Sequence, residues 1–285
     1  MKLEHARGVL NLDRCAVMGI VNRTTDSFYD PGRMGLEDSI AHGLDLWRQG
    51  ATVLDVGGIK AGPGPEVSES EELARVIPLV SGLASRGEAL ISVETSRARV
   101  AEAALEAGAA LINDVTGLVD ERLAAVCAES GAGLVLMHNG GQLRGRPRNP
   151  RYADVVGEVL GWWAEATERA CRAGMRSTQL LLDPGLDFDK TTYHSLELVR
   201  RMDELTAQGL PVLVAPSRKD LVGESLALPA EERLEGSLAV AALCVERGAA
   251  MVRAHDVLAT SRGLAMVETV MGRTRPRRAI RGLWE

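Results

Sequence analysis

The chain has 285 residues, is 46% hydrophobic with only 3% aromatics, and carries a formal net charge of −6. That length suits one α/β barrel with a core of Ala, Leu, Val and Ile. The charge argues against nucleic acid as the main partner, and no run of about 18 apolar residues exists to span a membrane.

The N-terminal stretch MKLEHARGVLNLDRCAV carries charges throughout and lacks an apolar signal segment, so a cytoplasmic location is expected. Cys15, Cys127, Cys171 and Cys244 are far apart, with no CxxC pair, and read as buried free thiols in a reducing compartment. The first predicted strand, 16–21, runs into the polar stretch Asn22 to Ser27. Further strands are predicted at 51–56, 89–93, 110–115, 133–137, 179–182, 211–215 and 250–255, each short and apolar on both faces. Amphipathic helical patterns alternate with them, among them EELARVIPLVSGLA from Glu71 and SRARVAEAALEAG at 96–108. Gly108, Gly131, Gly174, Gly209 and Gly248 each close such a pattern before a strand, where a left-handed C-terminal residue favours glycine. Eight alternating units imply a parallel sheet and, at this length, a closed (β/α)8 barrel of the α/β class. One domain is expected over 1–285, with a basic tail at about 273–285. An open doubly wound sheet would carry a glycine-rich turn after its first strand, where this chain has NRTTDS.

A barrel gathers the C-terminal ends of its strands on one face. Those ends carry Asn22, Asp55, Glu94, Asn113 with Asp114, His138, Asp183, Ser217 with Arg218 and Lys219, and Arg253 with His255. Any one of them is an ordinary cap or turn residue; a full ring of them is a site. Glu94, Asn113 and Asp183 suit a flat heterocycle bearing donors and acceptors. Arg218, Lys219, Arg253 and His255 suit an anion. Asn22 and Asp55 are oxygen ligands of the kind Mg²⁺ takes alongside phosphates. The residues point to a phosphorylated heterocycle and leave the reaction open.

The segments MGIVNRTTDSF, VLDVGG, PGPEVSESEELARVIPLV, INDVTG, LVLMH, LLDPGLDF, PSRK, ERLEGSLA and VRAHDV occur in the order found in dihydropteroate synthases, and over roughly residues 14–272 the chain resembles that family. The resemblance implies a TIM barrel, usually a homodimer, and a reaction that joins p-aminobenzoate to 6-hydroxymethyl-7,8-dihydropterin diphosphate. Pyrophosphate is released, Mg²⁺ is required, and sulfonamides block the aminobenzoate site. By position, Asn22 matches the metal-binding asparagine, Asn113 and Asp183 the groups bonded to the pterin, and Met137 the side chain packed on it. Lys219 matches the lysine between pterin and aminobenzoate, Ser217 and Phe188 contacts near the second substrate, and Arg253 and His255 the diphosphate site. Glu94, Lys219, Arg253 and His255 form the implied catalytic set.

The chain departs from the family pattern in its loops. Thr25 replaces a proline, Ala61 and Gly62 replace a threonine and an arginine, and Glu94 replaces an aspartate. Asp187 and Asp189 replace glycines; they are expected in strained turns and add negative charge near an anionic substrate. The pattern reads as a paralogue whose synthase activity is weak or lost, with pterin or sulfonamide binding retained. A fully active synthase with compensating changes is one alternative. Another pterin-binding barrel, such as a methyltetrahydrofolate methyltransferase, is a second. Trp162 and Trp163 read as core or dimer surface. The stretch 139–151 reads as a surface loop or a lid, and the basic tail as solvated or gripping a polyanion.

Overall fold

The computed structural model describes residues 1–23, 35–59, 66–141 and 149–281. Thr25, Ala61, Gly62 and much of the 139–151 stretch lie outside the described residues.

The chain opens with an antiparallel hairpin absent from the sequence expectation, β1 (Lys2–His5) and β2 (Gly8–Asn11), turned at Gly8 with φ 134°. Four-residue strands bearing Lys2 and Glu4 give too short a pattern to read. The barrel then follows in alternation: β3 (Ala16–Asn22), α1 (Leu36–Arg48), β4 (Val53–Gly57), α2 (Glu69–Arg86), β5 (Leu90–Glu94), α3 (Ala98–Glu106), β6 (Leu111–Asp114), α4 (Arg122–Ser130), β7 (Gly133–Met137), α5 (Val155–Arg172) and β8 (Leu180–Asp183). It is completed by α6 (Thr192–Arg200), α7 (Met202–Thr206), β9 (Leu213–Val214), α8 (Asp220–Leu226), α9 (Leu234–Glu246), β10 (Met251–Ala254) and α10 (Val257–Val270). All five glycines predicted to end helices have positive φ, between 68° and 113°.

The eight barrel strands pair in parallel in the order β8-β7-β6-β5-β4-β3-β10-β9. A parallel bridge between Leu182 and Val212 closes the ring, helped by the Leu182 amide donating to the Pro211 carbonyl at 3.0 Å. The closed (β/α)8 barrel is therefore confirmed. Strand β9 is shorter than expected because Pro211 opens its segment without an amide to donate.

Strand register sorts each strand into two rows. Val17, Val21, Leu54, Val56, Ile91, Val93, Leu134, Leu136, Val214 and Val252 pack outward in the core shared with the helices. Met18, Val53, Leu111, Val135, Leu181, Leu213 and Met251 fill the barrel interior with Leu3, which β1 inserts as a plug at 0% exposure. The strands are thus buried on both faces, as expected, but the inward row changes from apolar to polar towards its C-terminal end. Among the described residues, no helix is long and apolar enough to cross a membrane. Cys127 and Cys244 are buried free thiols as expected, whereas Cys15 is half-buried and Cys171 is exposed on α5.

Candidate active site

The inward rows finish in Asn22 on β3, Asp55 on β4, Ser92 and Glu94 on β5, Asn113 on β6, Met137 on β7, Asp183 on β8, and Arg253 on β10. Arg253 ties three strands together. Its Nε donates to Asp55 Oδ2 at 2.7 Å and its Nη2 to Glu94 Oε2 at 2.6 Å, while Asn113 Nδ2 donates to the same Asp55 oxygen at 3.0 Å. Asp55 is 0% exposed, and its Oδ1 is buried with no hydrogen-bond partner, as is Ser92 Oγ. An orphaned buried carboxylate oxygen is costly, so this floor is built to receive a donor.

The floor's titration follows from its burial. Glu94 is pushed up to about 7 by burial; Arg253 opposes the shift and Asp55 adds to it. Asp183 is also raised by burial, against the pull of Lys219, and its Oδ1 accepts from the Gly185 amide at 2.7 Å. Burial lowers Lys219, with Asp183 and Asp187 opposing. Burial acts against the charge on Arg253 too, but Asp55 and Glu94 outweigh it and raise its pKa.

The second half of the mouth follows β9. Lys219 Nζ donates to the Leu186 carbonyl and lies 4.7 Å from the centroid of the Phe188 ring. Ser217 Oγ is 3.0 Å from His255 Nδ1 and accepts from the His255 amide at 3.2 Å. Burial, then Arg253 and Arg218, push His255 down to about 4, so near neutral pH it is an uncharged imidazole. Arg218, expected to face an anion, instead makes a two-pronged bond to Asp256 at 2.8 and 2.7 Å.

Two more strand-end residues leave the ring because they fall on the outward row. Asp114 closes the turn after β6, accepting from the Thr116 amide at 2.8 Å, its hydroxyl at 2.6 Å and the Leu118 amide at 2.5 Å. His138 faces Lys190, whose Nζ reaches His138 Nδ1 at 2.9 Å and the carbonyls of His138 and Phe188 at 3.1 and 3.0 Å. Burial brings Lys190 to about 7; burial and Lys190 bring His138 to about 3. Lys190, passed over in the sequence, thus clamps the Phe188 loop to β7. Its signals were rarity, as one of four lysines, and its place at the end of the segment from Asp183 to Lys190. Trp163 is core and donates to the Asp183 carbonyl at 3.3 Å, while Trp162 meets the His138 ring edge-on.

Asp187 and Asp189 do adopt the left-handed conformation, with φ 65° and 45°. The Asp187 carboxylate is not free to face a substrate, however. It accepts from Ser195 Oγ at 2.9 Å and from the Leu221 amide in the first turn of α8 at 3.0 Å.

Asn22 is half-buried at the rim, its Oδ1 only 3.0 Å from where a Cβ on Gly57 would stand. Asp55, grouped with it above as a metal ligand, lies lower and is committed to Arg253 and Asn113. No cluster of three His, Cys, Asp or Glu suited to a metal exists among the described residues. A single neutral amide oxygen fits Mg²⁺ carried in by phosphate oxygens and water, as opposed to a resident protein cage. The roots of the first two loops are tied together: Arg23 Nη1 donates to the Arg75 carbonyl at 2.7 Å, and Arg75 Nη1 to the Gly58 carbonyl at 2.9 Å.

The sequence pattern of pterin-binding enzymes matches residues 18–255. The chain is 46% identical over 283 residues to the inactive dihydropteroate synthase 2 of Mycobacterium tuberculosis, covering 95% of this chain and 87% of that one. It is 40% identical over 273 residues to the dihydropteroate synthase of Escherichia coli, covering 95% and 97%. The Yersinia pestis dihydropteroate synthase in complex with a sulfonamide drug superposes with a TM-score of 0.91 at 38% identity, covering 96% of this chain and all of that one. The Xanthomonas albilineans enzyme in complex with 7,8-dihydropteroate superposes at 0.85 and 38% identity, covering 95% and 99%.

Proposed function

The chain belongs to the dihydropteroate synthase family of pterin-binding enzymes, and from that premise we propose that it is a divergent member. It retains pterin binding, while its condensation of 6-hydroxymethyl-7,8-dihydropterin diphosphate with p-aminobenzoate is weakened or lost. The observation that carries this reading is the double engagement of Arg253 by Asp55 and Glu94. The cation that would meet a leaving diphosphate is already neutralised, and His255 beside it is uncharged. Asp55, Asp183 and Glu94, the last half-protonated near neutral pH, face Arg253 and Lys219. That balance favours a neutral, donor-rich heterocycle over a diphosphate ester.

The pterin fits the floor as follows. Its pyrimidine edge, rich in N–H groups, meets Asp183, Asn113 and the orphaned Asp55 oxygen, and Met137 packs on the ring. Lys219 bridges to the second subsite, where Phe188 and Ser217 hold the aminobenzoate or a sulfonamide. In the full reaction the bond from the pterin methylene to the diphosphate oxygen breaks. The aryl amine nitrogen forms the new C–N bond and gives up a proton. Carboxylates around the pterin stabilise the cationic methylene; Arg253 must exchange Glu94 for the departing pyrophosphate. Asn22 would hold Mg²⁺, which when bound with the diphosphate would neutralise part of the leaving charge.

The reading includes a cytoplasmic homodimer formed through α9 and α10, where exposed Leu243, Met266 and Val270 border an apolar groove of about 560 Å³. One observation favours the alternative of a fully active synthase: the match to the Escherichia coli enzyme runs over 97% of its length. The deciding experiment is pyrophosphate release by the purified protein with both substrates and Mg²⁺, beside calorimetry with 6-hydroxymethylpterin. We expect pterin binding with turnover at least ~10²-fold below an active family member. Turnover matching an active synthase and abolished by Lys219→Ala would establish the alternative; absence of pterin binding would end both readings.

A further inference from the structure

A second cleft lies at the opposite end of the barrel, where β3 begins and α10 ends. It encloses about 1180 Å³. Ala16 lines it and Asn22 stands at the mouth, so the two sites are separated by the length of β3, about 20 Å. Arg14, Arg48, Arg262, Arg275, Arg277 and Arg278 line its walls. None of the six pairs with a carboxylate among the described residues. In a chain of net charge −6, that is a strong local reversal.

The inner wall is of a different kind. Glu268 lines it at 4% exposure. Its Oε1 accepts from the Cys15 amide at 3.0 Å and from Arg273 at 3.3 Å, but its Oε2 is buried without a partner. Ser261, two turns earlier on α10, lines the same cleft with an equally unpartnered buried Oγ. Leu258, Ala265 and Pro276 add apolar lining.

We propose that this cleft binds a nucleoside phosphate. The arginines take the phosphates, and the orphaned Glu268 oxygen accepts from an amino or hydroxyl group at the other end. Guanidinium planes both pair with phosphate and stack on a base, which lysines do not do as well. A free phosphate would leave the buried acceptor unmet, and the cleft has room for a whole small-molecule ligand. The basic segment from Arg275 to Arg278 is thereby one wall of a built cleft, beyond a solvated tail.

The test is calorimetric titration of the full-length protein with ADP and, separately, with inorganic pyrophosphate. One-to-one ADP binding is expected, weakened at least 10-fold when Arg275, Arg277 and Arg278 are all changed to Ser. Those side chains are exposed, so the variant should fold normally. Glu268→Gln, which keeps an oxygen for the Cys15 amide, should weaken ADP binding and leave pyrophosphate binding unmoved. Lys219→Ala, at the barrel mouth, should leave ADP binding unchanged. The proposal is overturned if ADP does not bind at millimolar concentration, or if the triple variant binds it normally. It is also overturned if Lys219→Ala abolishes binding, which would place ADP at the mouth. Tighter, tail-dependent binding of a single-stranded RNA oligomer than of ADP would replace it with a nucleic-acid role.

Discussion

Glu94 brings to the floor a carboxyl displaced from its ordinary titration. It sits in the floor with Asp55 beside it and reaches Arg253 at 2.6 Å. Burial, first, then Asp55, hold its carboxyl up at about 7. Its folded pKa is above the unfolded value of about 4.3, so its contribution to stability is fully present below that value and lost as pH rises through 7. His138 and His255, held down to about 3 and about 4, act in the opposite sense: their contribution is present above pH 6.5 and fades on acidification. The Glu94 effect is therefore best read as a difference between two proteins. Urea unfolding of the native chain and of Glu94→Gln from pH 4.5 to 7 should show the native chain losing stability relative to the variant. A difference that does not vary with pH would remove Glu94 as a protonated floor residue. Glu94→Asp should release Arg253 and raise synthase turnover, by about 10-fold if the misplaced carboxylate is the main defect. No gain from that variant would leave the substitutions at Thr25, Ala61 and Gly62 as the candidates for any loss of turnover.

At the scale of elements, the β8–α6 loop shows how a costly conformation is retained. Asp187 and Asp189 occupy left-handed backbone that costs a non-glycine residue roughly 1–2 kcal/mol each. Asp187 offsets this by capping: it bonds the Leu221 amide of α8 and Ser195 of α6. Asp189 contributes its carbonyl, which accepts from the Tyr152 hydroxyl at 3.0 Å, a bond glycine would keep. The two positions should therefore respond differently. Asp187→Ala should destabilise the fold by about 1–2 kcal/mol through loss of the cap, and Asp189→Gly should stabilise it by roughly 1 kcal/mol. Denaturant midpoints at constant m-value measure both, and equal effects would contradict the assignment. The same loop is fixed to β7 by Lys190, so Phe188 is presented from a rigid support.

For the whole molecule, the barrel interior has one open, polar end and one plugged end. Leu3 from the N-terminal hairpin fills the bottom, and the inward rows of β3, β4, β5, β6, β8 and β10 turn polar at the top, while that of β7 ends in Met137. The side of α9 and α10 away from the barrel keeps Leu243, Met266 and Val270 exposed. If a second copy covers them, a Met266→Glu and Val270→Glu double variant should sediment at half the native mass with its fold intact. Native protein sedimenting as a monomer would refute the dimer. The alternation of short apolar strands and amphipathic helices was enough to specify eight units and a closed barrel, because burial on both faces and the 3.6-residue helical period are written locally. Chemistry of the mouth was legible as a ring of polar strand ends, and glycine-to-aspartate strain was legible because left-handed backbone restricts residue type. Tertiary structure alone decided which members of that ring face inward. Asp114, His138 and Arg218 were drawn away by Thr116, Lys190 and Asp256, while Asp55 went to the floor. A strand's two faces differ by one residue of register, and which face meets the barrel axis is set by strand pairing and shear, which no local pattern encodes.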